Sequence, residues 1–386
     1  MTVLARGLPR YRDARAVAAA LRPSYPVYCL APEVIGAAAR RFLEAFPGRV
    51  LYAVKCNPHP RVLAALHDAG IRHFDSASLP EIALVRERLP GAEPYFMHPV
   101  KSRAVIATAH EVYGVRHFAV DHPAELDKVL AATGGEGIAV IVRLKTAASG
   151  ALYNLASKFG AEPEAAAALL RRVKREGLVA GLCFHVGSQC LVPEAWREAL
   201  ALCARVLEQA GVGIGFLDLG GGFPARYPGF EVPDLEAYLE AIRTGLAGLA
   251  LRNDCVLMCE PGRALVADGC SLLTQVLLRK EREAYLNDGV FGSLSELVTA
   301  RIRLPVRVIR LDGEPSRRLA ELTLYGPTCD SADRLPGAFR LPEDLREGDW
   351  IEFGRIGAYS NAVATRFNGF FPETFVEVDE VFPAPG

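Results

Sequence analysis

The sequence has no long uncharged apolar run. No stretch reaches the roughly 20 apolar residues of a membrane-spanning helix. The opening stretch, MTVLARGLPRYRDARAVAAALRPSYP, scatters arginines where a secretory signal would have a continuous apolar core. Excess charge of either sign is also missing. The 44 Lys and Arg against 45 Asp and Glu leave a formal net charge of -1, which gives no electrostatic footprint for nucleic acid and no polybasic patch for a membrane. CxxC pairs are absent too. Nine cysteines, an odd number without metal-type spacing, fit reduced thiols in a core better than a disulfide framework, and no metal is expected. There is no internal repeat, low-complexity tract or long linker. These absences leave a folded protein, expected in the cytoplasm, with neither nucleic acid nor membrane as partner.

What is present is alternation. In 386 residues, a large barrel plus a smaller domain, or two medium domains, is the expectation. Eight β-type runs, VLYAV (50–54), IRHFD (71–75), PYFMH (94–98), HFAV (117–120), IAVIVRL (138–144), VAGLCFHV (179–186), IGFLDLG (214–220) and CVLMCE (255–260), are separated by segments of helical period such as PRVLAALHDAG and EAAAALLRRVKREG. Eight β/α alternations predict an α/β fold, a (β/α)8 barrel over 30–265, although the pattern alone leaves an open doubly wound sheet possible. After about Ala264 the texture changes to SLLTQVLLRK, LPVRVIRLDG, LAELTLYG, DWIEFGRIG and TFVEVDEV, which predict a mainly antiparallel β domain, sandwich or barrel-like, over 266–386. Residues 1–29, which precede the first barrel strand, are assigned to it.

Barrel chemistry collects at the C-terminal ends of strands. Lys55 ends YAVKCN, where desolvation favours the free amine that imine formation needs; alone, such a lysine reads as a solvated rim residue. Gly220, Gly221 and Gly222 follow a strand in LDLGGGFP, and three residues without Cβ let backbone N–H groups approach a phosphate. Alone they read as a flexible turn. CEPGR supplies Glu260, Gly262 and Arg263, a carboxylate suited to keeping a pyridine nitrogen protonated or simply to pairing with an arginine. FHVGSQ supplies His185, able to stack on a flat ring, and Ser188, able to donate to a phosphate. YGPTCDSADRL sets Cys329, a candidate proton donor, beside Asp330, a candidate partner for a substrate cation. Tyr359, in GRIGAYSNAVATRFNGF, offers a hydroxyl as phosphate ligand or core polar handle.

Together YAVKCN, FDSAS, SKFG, FHVGSQ, LDLGGGFP, EPGR, GPTCDSADRL and GAY followed by FNGF resemble, in order, the fold-type III ornithine/diaminopimelate decarboxylase family, over roughly residues 26–380. The resemblance implies a pyridoxal 5'-phosphate enzyme in which Lys55 carries the cofactor as an imine. His185 is similar to the ring-stacking histidine and Glu260 to the ring-nitrogen partner. Asp75, Glu81 and Arg143 match residues that position the lysine and cofactor, and Ser188, Gly221, Gly222, Gly262, Arg263 and Tyr359 the phosphate cradle. Cys329 matches the thiol that protonates Cα after carbon dioxide leaves, and Asp330 the residue that binds the substrate's distal amine. Both reach the partner's site in this family, so a homodimer with shared sites is implied.

The GPTCD turn favours basic amino acids over diaminopimelate. In NDGVFGSLSELVTARIRLP, the region of the family's specificity helix, Ala300 stands where animal-type ornithine decarboxylases carry an aspartate. Glu296, one turn earlier, matches the glutamate of bacterial ornithine/lysine and viral arginine decarboxylases. The opposing reading makes Glu296 a surface residue and lets Arg301 and Arg303 reshape the pocket for a less cationic substrate. Ornithine, leading to putrescine and polyamines, ranks first, lysine close behind, and arginine or a specialised diamino acid third. A racemase on the same fold, or a catalytically dead regulatory homologue, are the rival classes; the CD turn speaks against the first and the retained cofactor residues against the second.

Overall fold

The computed structural model describes residues 7–146, 150–153 and 157–382. The chain divides into two compact units, one of residues 38–224 and 231–264, the other of 1–37, 225–230 and 265–386.

The first unit is a closed barrel of eight parallel strands: Arg49–Ala53, His73–Ser76, Glu93–Phe96, His117–Val120, Ala139–Arg143, Val179–Cys183, Phe216–Asp218 and Val256–Cys259. All eight expected strands are there, some trimmed and some shifted at their ends, and the open-sheet alternative is excluded. They read as continuous apolar runs because both faces are covered, one by the barrel interior and one by helices. Helices Pro60–Asp68, Pro123–Thr133 and Pro163–Arg175 begin on proline, where the missing N–H costs nothing and φ is already helical. Gly134 ends Pro123–Thr133, and Gly211 ends Glu194–Ala210, each in the left-handed conformation. Leu51, Tyr95, Met97, Ala119, Ile141, Cys183 and Met258 form one interior cluster.

A polar plug closes the N-terminal rim. Arg49, His73, Glu93 and His117 each open a strand. Arg49 donates to the Tyr95 hydroxyl at 2.9 Å, the same hydroxyl meets His73 Nδ1 at 3.1 Å, and His73 lies 3.3 Å from Glu93. Tyr95 stacks on His117, ring centres 4.1 Å apart.

The second unit is a nine-stranded, mainly antiparallel sheet. Its axis is the eleven-residue strand Cys270–Lys280, paired antiparallel with Val27–Leu30, Glu283–Leu286 and Trp350–Phe353. Three pairings are parallel: Arg10–Tyr11 with Thr374–Val378, that strand with Val27–Leu30, and Glu283–Leu286 with Leu319–Tyr325. Helix Ala14–Leu21 is capped by Asp13, whose carboxylate accepts from Ala16 N–H. It packs Ala14, Val17 and Ala18 against Val27, Leu273, Trp350 and Val376. The described cysteines are all free thiols. No described helix is long and apolar enough to cross a membrane.

Candidate active site

The barrel strands are parallel, so their C-terminal ends share one rim, and the barrel residues singled out above lie at it. Lys55 lies in the 3-10 turn Val54–Cys56 that follows the first barrel strand. Its Nζ is 2.5 Å from Oδ2 of Asp75, on the adjacent strand in register with Ala53. Asp75 is 2% exposed whereas the lysine side chain is 39% exposed, so a dry carboxylate holds an amine that opens to the rim. Glu81, in the first turn of Leu79–Arg88, accepts from Ala77 N–H at 2.7 Å and so clamps the turn that follows Asp75. Burial raises the Glu81 pKa, with that hydrogen bond opposing.

Arg143 ends its strand with the guanidinium carbon 5.5 Å from the centre of the Phe159 ring, which meets His98 edge-on. The SKFG segment thus supplies a cation–π platform for Arg143. His185 Nδ1 accepts from Gly187 N–H at 2.9 Å, which requires that nitrogen to be unprotonated. Burial, with the Arg143 and Lys55 cations adding, pushes the His185 pKa well below the usual range. The ring is therefore neutral.

The glycines lie where three strand-end loops converge. Gly220 and Gly222 have φ of 64° and 108°. A Cβ would fall 2.1 Å from Phe184 O at Gly220, 2.5 Å from Glu260 O and 3.1 Å from His185 Nε2 at Gly221, and 2.4 Å from Gly187 O at Gly222. Backbone alone fits there. Gly262 likewise lets the EPGR turn pack on the Lys55 turn, where a Cβ would meet Cys56 Cβ at 2.9 Å. Arg263 is 4% exposed and donates to Ser188 Oγ at 3.4 Å.

Glu260 donates its backbone N–H to Gly220 O at 2.8 Å. Burial raises its pKa, and the Asp218 and Asp75 anions raise it further against Lys55 and Arg143. Asp218 was not singled out from the sequence. It is fully buried, accepts from Gly220 N–H at Oδ1 over 2.9 Å, and has no donor to Oδ2 among the described residues. Its pKa is raised by burial. The readable signal was a lone carboxylate inside an apolar strand, which is rare unless the group has a partner.

The other predicted residues belong to the β unit and are not barrel residues. Cys329 and Asp330 are exposed on one loop. Cys329 N–H donates to Asn368 Oδ1 at 3.0 Å, and Asp330 Oδ1 accepts from Ala332 N–H at 2.8 Å. Asp333 fastens this loop. It is 2% exposed, and its carboxylate accepts from Val290 N–H at 2.9 Å and from Thr328 N–H and hydroxyl at 3.0 and 2.8 Å. Glu296 starts the single-turn helix Glu296–Thr299, closed by Ala300 N–H to Glu296 O at 3.1 Å. Glu296 and Tyr359, the latter at φ 50°, line one small cleft. Arg301, Arg303 and Arg340 line a different one, of about 700 Å³, that includes neither Glu296 nor Ala300.

A rim amine, a neutral imidazole, a half-buried Glu260 carboxyl, and glycine, serine and arginine donors on converging loops complement an aromatic aldehyde that carries a phosphate. The site fits pyridoxal phosphate. Residues 33–267 match the family described as pyridoxal-dependent decarboxylase, pyridoxal binding domain. The chain is 36% identical to the lysine/ornithine decarboxylase of Selenomonas ruminantium, over 83% of this chain and 81% of that one. It is 34% identical to antizyme inhibitor 2 of Xenopus laevis, over 86% and 76%. The structure of lysine/ornithine decarboxylase from Vibrio vulnificus, complexed with cadaverine, superposes with a TM-score of 0.83 at 32% identity, covering 95% of this chain and 98% of that one. This chain belongs to the pyridoxal-dependent amino-acid decarboxylases, with pyridoxal 5'-phosphate as its cofactor.

Proposed function

We propose that the enzyme decarboxylates a basic L-amino acid, ornithine first and lysine close behind, with arginine or a specialised diamino acid third. We place it in the cytoplasm as a homodimer with shared sites. The observation that carries the substrate reading is the pair of carboxylates that the β unit offers, Asp330 exposed on its loop and Glu296 in the cleft of Tyr359. Arg355, which shares that cleft, is paired with Asp268 at 3.4 Å, whereas Arg301 and Arg303 line another. Carboxylates suit a distal ammonium.

When bound, the cofactor supplies the electron sink that stabilises charge at Cα as the carboxylate departs. In this reading Lys55 provides the amine, held in place by Asp75, while Glu81 and Arg143 fix the loops around them. His185 offers its neutral face to the ring and Glu260 its carboxyl to the ring nitrogen. Ser188, Gly220, Gly221, Gly222, Gly262, Arg263 and Tyr359 receive the phosphate. Cys329 Sγ delivers the proton to Cα, and Asp330 with Glu296 binds the distal ammonium.

Carbon dioxide release from ornithine, lysine, arginine and diaminopimelate tests the substrate. Turnover of ornithine and lysine is expected. Glu296→Gln is expected to raise KM roughly 10- to 100-fold, the value of a hydrogen bond to a charged group, and to change kcat less. Preference for diaminopimelate, or an unchanged KM, refutes the reading. For the shared site, Lys55→Ala and Cys329→Ala chains are mixed in equal amounts. Random pairing restores roughly a quarter of wild-type sites if Cys329 acts across the dimer, and none if it acts within its own chain.

A further inference from the structure

The single-turn helix Glu296–Thr299 cannot hold its own place. A helix shorter than about 12 residues is not stable alone in water, and at its N-cap Ser295 makes no side-chain bond to it. Its position comes from the preceding turn, 288–293. Leu294 N–H donates to Gly289 O at 3.1 Å and Leu297 N–H to Leu294 O at 3.2 Å, with both leucines buried.

Asp288 gathers that turn. It is buried, its Oδ1 accepts from Gly289 N–H at 2.8 Å and from Ser293 N–H at 3.2 Å, and its Oδ2 accepts from the Ser293 hydroxyl at 2.5 Å. The same hydroxyl accepts from the Tyr28 hydroxyl at 2.6 Å. Ser293 thus donates to the carboxylate and accepts from the phenol, which fixes its rotor and lets each bond polarise the other. Tyr28 ties this chain to the sheet: its strand Val27–Leu30 lies between Cys270–Lys280 and Thr374–Val378, and its ring stacks on Phe375 with centres 4.6 Å apart. The carboxylate also explains a glycine of the turn, since a Cβ on Gly292 would fall 1.9 Å from Asp288 Oδ1. Asp333 grips the same turn at Val290 N–H, so the Cys329 loop is fastened to it as well.

We propose that Asp288 is a positioning residue for substrate recognition: held by Tyr28 through Ser293, it fixes the turn that sets the place of Glu296. Ser293 and Glu296 line one cleft, so a shift of the turn is felt where the far end of the substrate is read. The inference rests on the reading of Glu296 as a partner of the distal ammonium.

A double-mutant cycle tests it. Asp288→Asn keeps the volume and an acceptor for the N–H groups but sets an amide against the Ser293 hydroxyl, whereas Tyr28→Phe removes only the donor to that hydroxyl. Each is made in the full-length protein, alone and together with Glu296→Gln. The readouts are kcat, KM for the better substrate of ornithine and lysine, and the cofactor dissociation constant. Asp288→Asn is expected to raise KM on the order of 5- to 100-fold and Tyr28→Phe about 3- to 10-fold, with kcat and cofactor affinity within about threefold of wild type. In the Glu296→Gln background each is expected to change KM by less than about twofold. The same factor in both backgrounds, or a loss of cofactor affinity as large as the rise in KM, overturns the proposal. An unchanged KM in Glu296→Gln alone instead sinks the reading of Glu296 beneath it. If Asp288→Asn fails to fold, Tyr28→Phe decides by the same cycle.

Discussion

Replacing Gly221 by alanine tests whether the convergence of loops at the barrel rim holds the cofactor. Gly221 is not among the glycines with positive φ, so alanine brings little backbone strain there, and the cost is contact. The new Cβ would lie 2.5 Å from the Glu260 carbonyl oxygen, a backbone atom, and 3.1 Å from His185 Nε2. The first is roughly 1 Å short of ordinary van der Waals contact, so the Glu260 and His185 loops must part. Overpacking of this kind costs about 1–3 kcal/mol. If the displaced loops hold the cofactor, that energy appears as a 5- to 150-fold weaker dissociation constant. The reference variant is Gly177→Ala: Gly177 has φ 76° with nothing within 4 Å of a Cβ, and it lies just before the strand Val179–Cys183, toward the opposite rim. Strain alone should lower its stability by about 1 kcal/mol and leave cofactor affinity unchanged. Titration of each apoprotein with pyridoxal phosphate, beside urea unfolding without it, separates the two effects. Cofactor affinity in Gly221→Ala within twofold of wild type would refute the reasoning.

Two further outcomes follow from buried polar groups. In the plug, burial first and then Arg49 lower the His117 pKa to about 4, below its ordinary 6.5, and His73 is lowered too, chiefly by burial. The unfolded chain therefore binds more protons between these values, so stability should decline as pH falls from about 6.5 to 4 and level off below, with His117→Gln flattening the decline; a urea midpoint independent of pH over that window would contradict this. Asp333→Ala strips the acceptor from two backbone N–H groups and the Thr328 hydroxyl, and should cost about 2–4 kcal/mol in urea unfolding while raising KM through the loosened Cys329 loop; a loss below about 1 kcal/mol would show that water replaces the carboxylate.

The barrel was legible because its strands are local signals: each is a short apolar run followed by a segment of helical period. The short strands of the β unit were not. Val27–Leu30, Glu283–Leu286 and Phe339–Pro342 are four-residue strands, and Val27–Leu30 takes its place only by pairing with Cys270–Lys280 and Thr374–Val378, far along the chain. In the site, residues with motif chemistry such as Lys55, His185 and Glu260 could be picked out. Asp218 could not, because LDL reads as strand until the fold turns its carboxylate onto Gly220 N–H. Asp333 was hidden by its neighbours, since the two residues at the tip of that turn drew attention from the one that fastens it. Phe159 had no visible role until Arg143 lay over its ring.

The plug at the N-terminal rim bears on how such a barrel changes over evolutionary time. Arg49, Tyr95, His73, Glu93 and His117 interlock at the end remote from Lys55, so strand register there is specified by residues with no part in the chemistry. The loops at the opposite rim are thereby released from setting register. They can accept altered residues and lengths, and the acceptance of new substrates, without placing the barrel itself under selection. The interlocked end acts as the hinge-pin of a replaceable tool head: fixed, chemically silent, and the reason the other end is free to diverge.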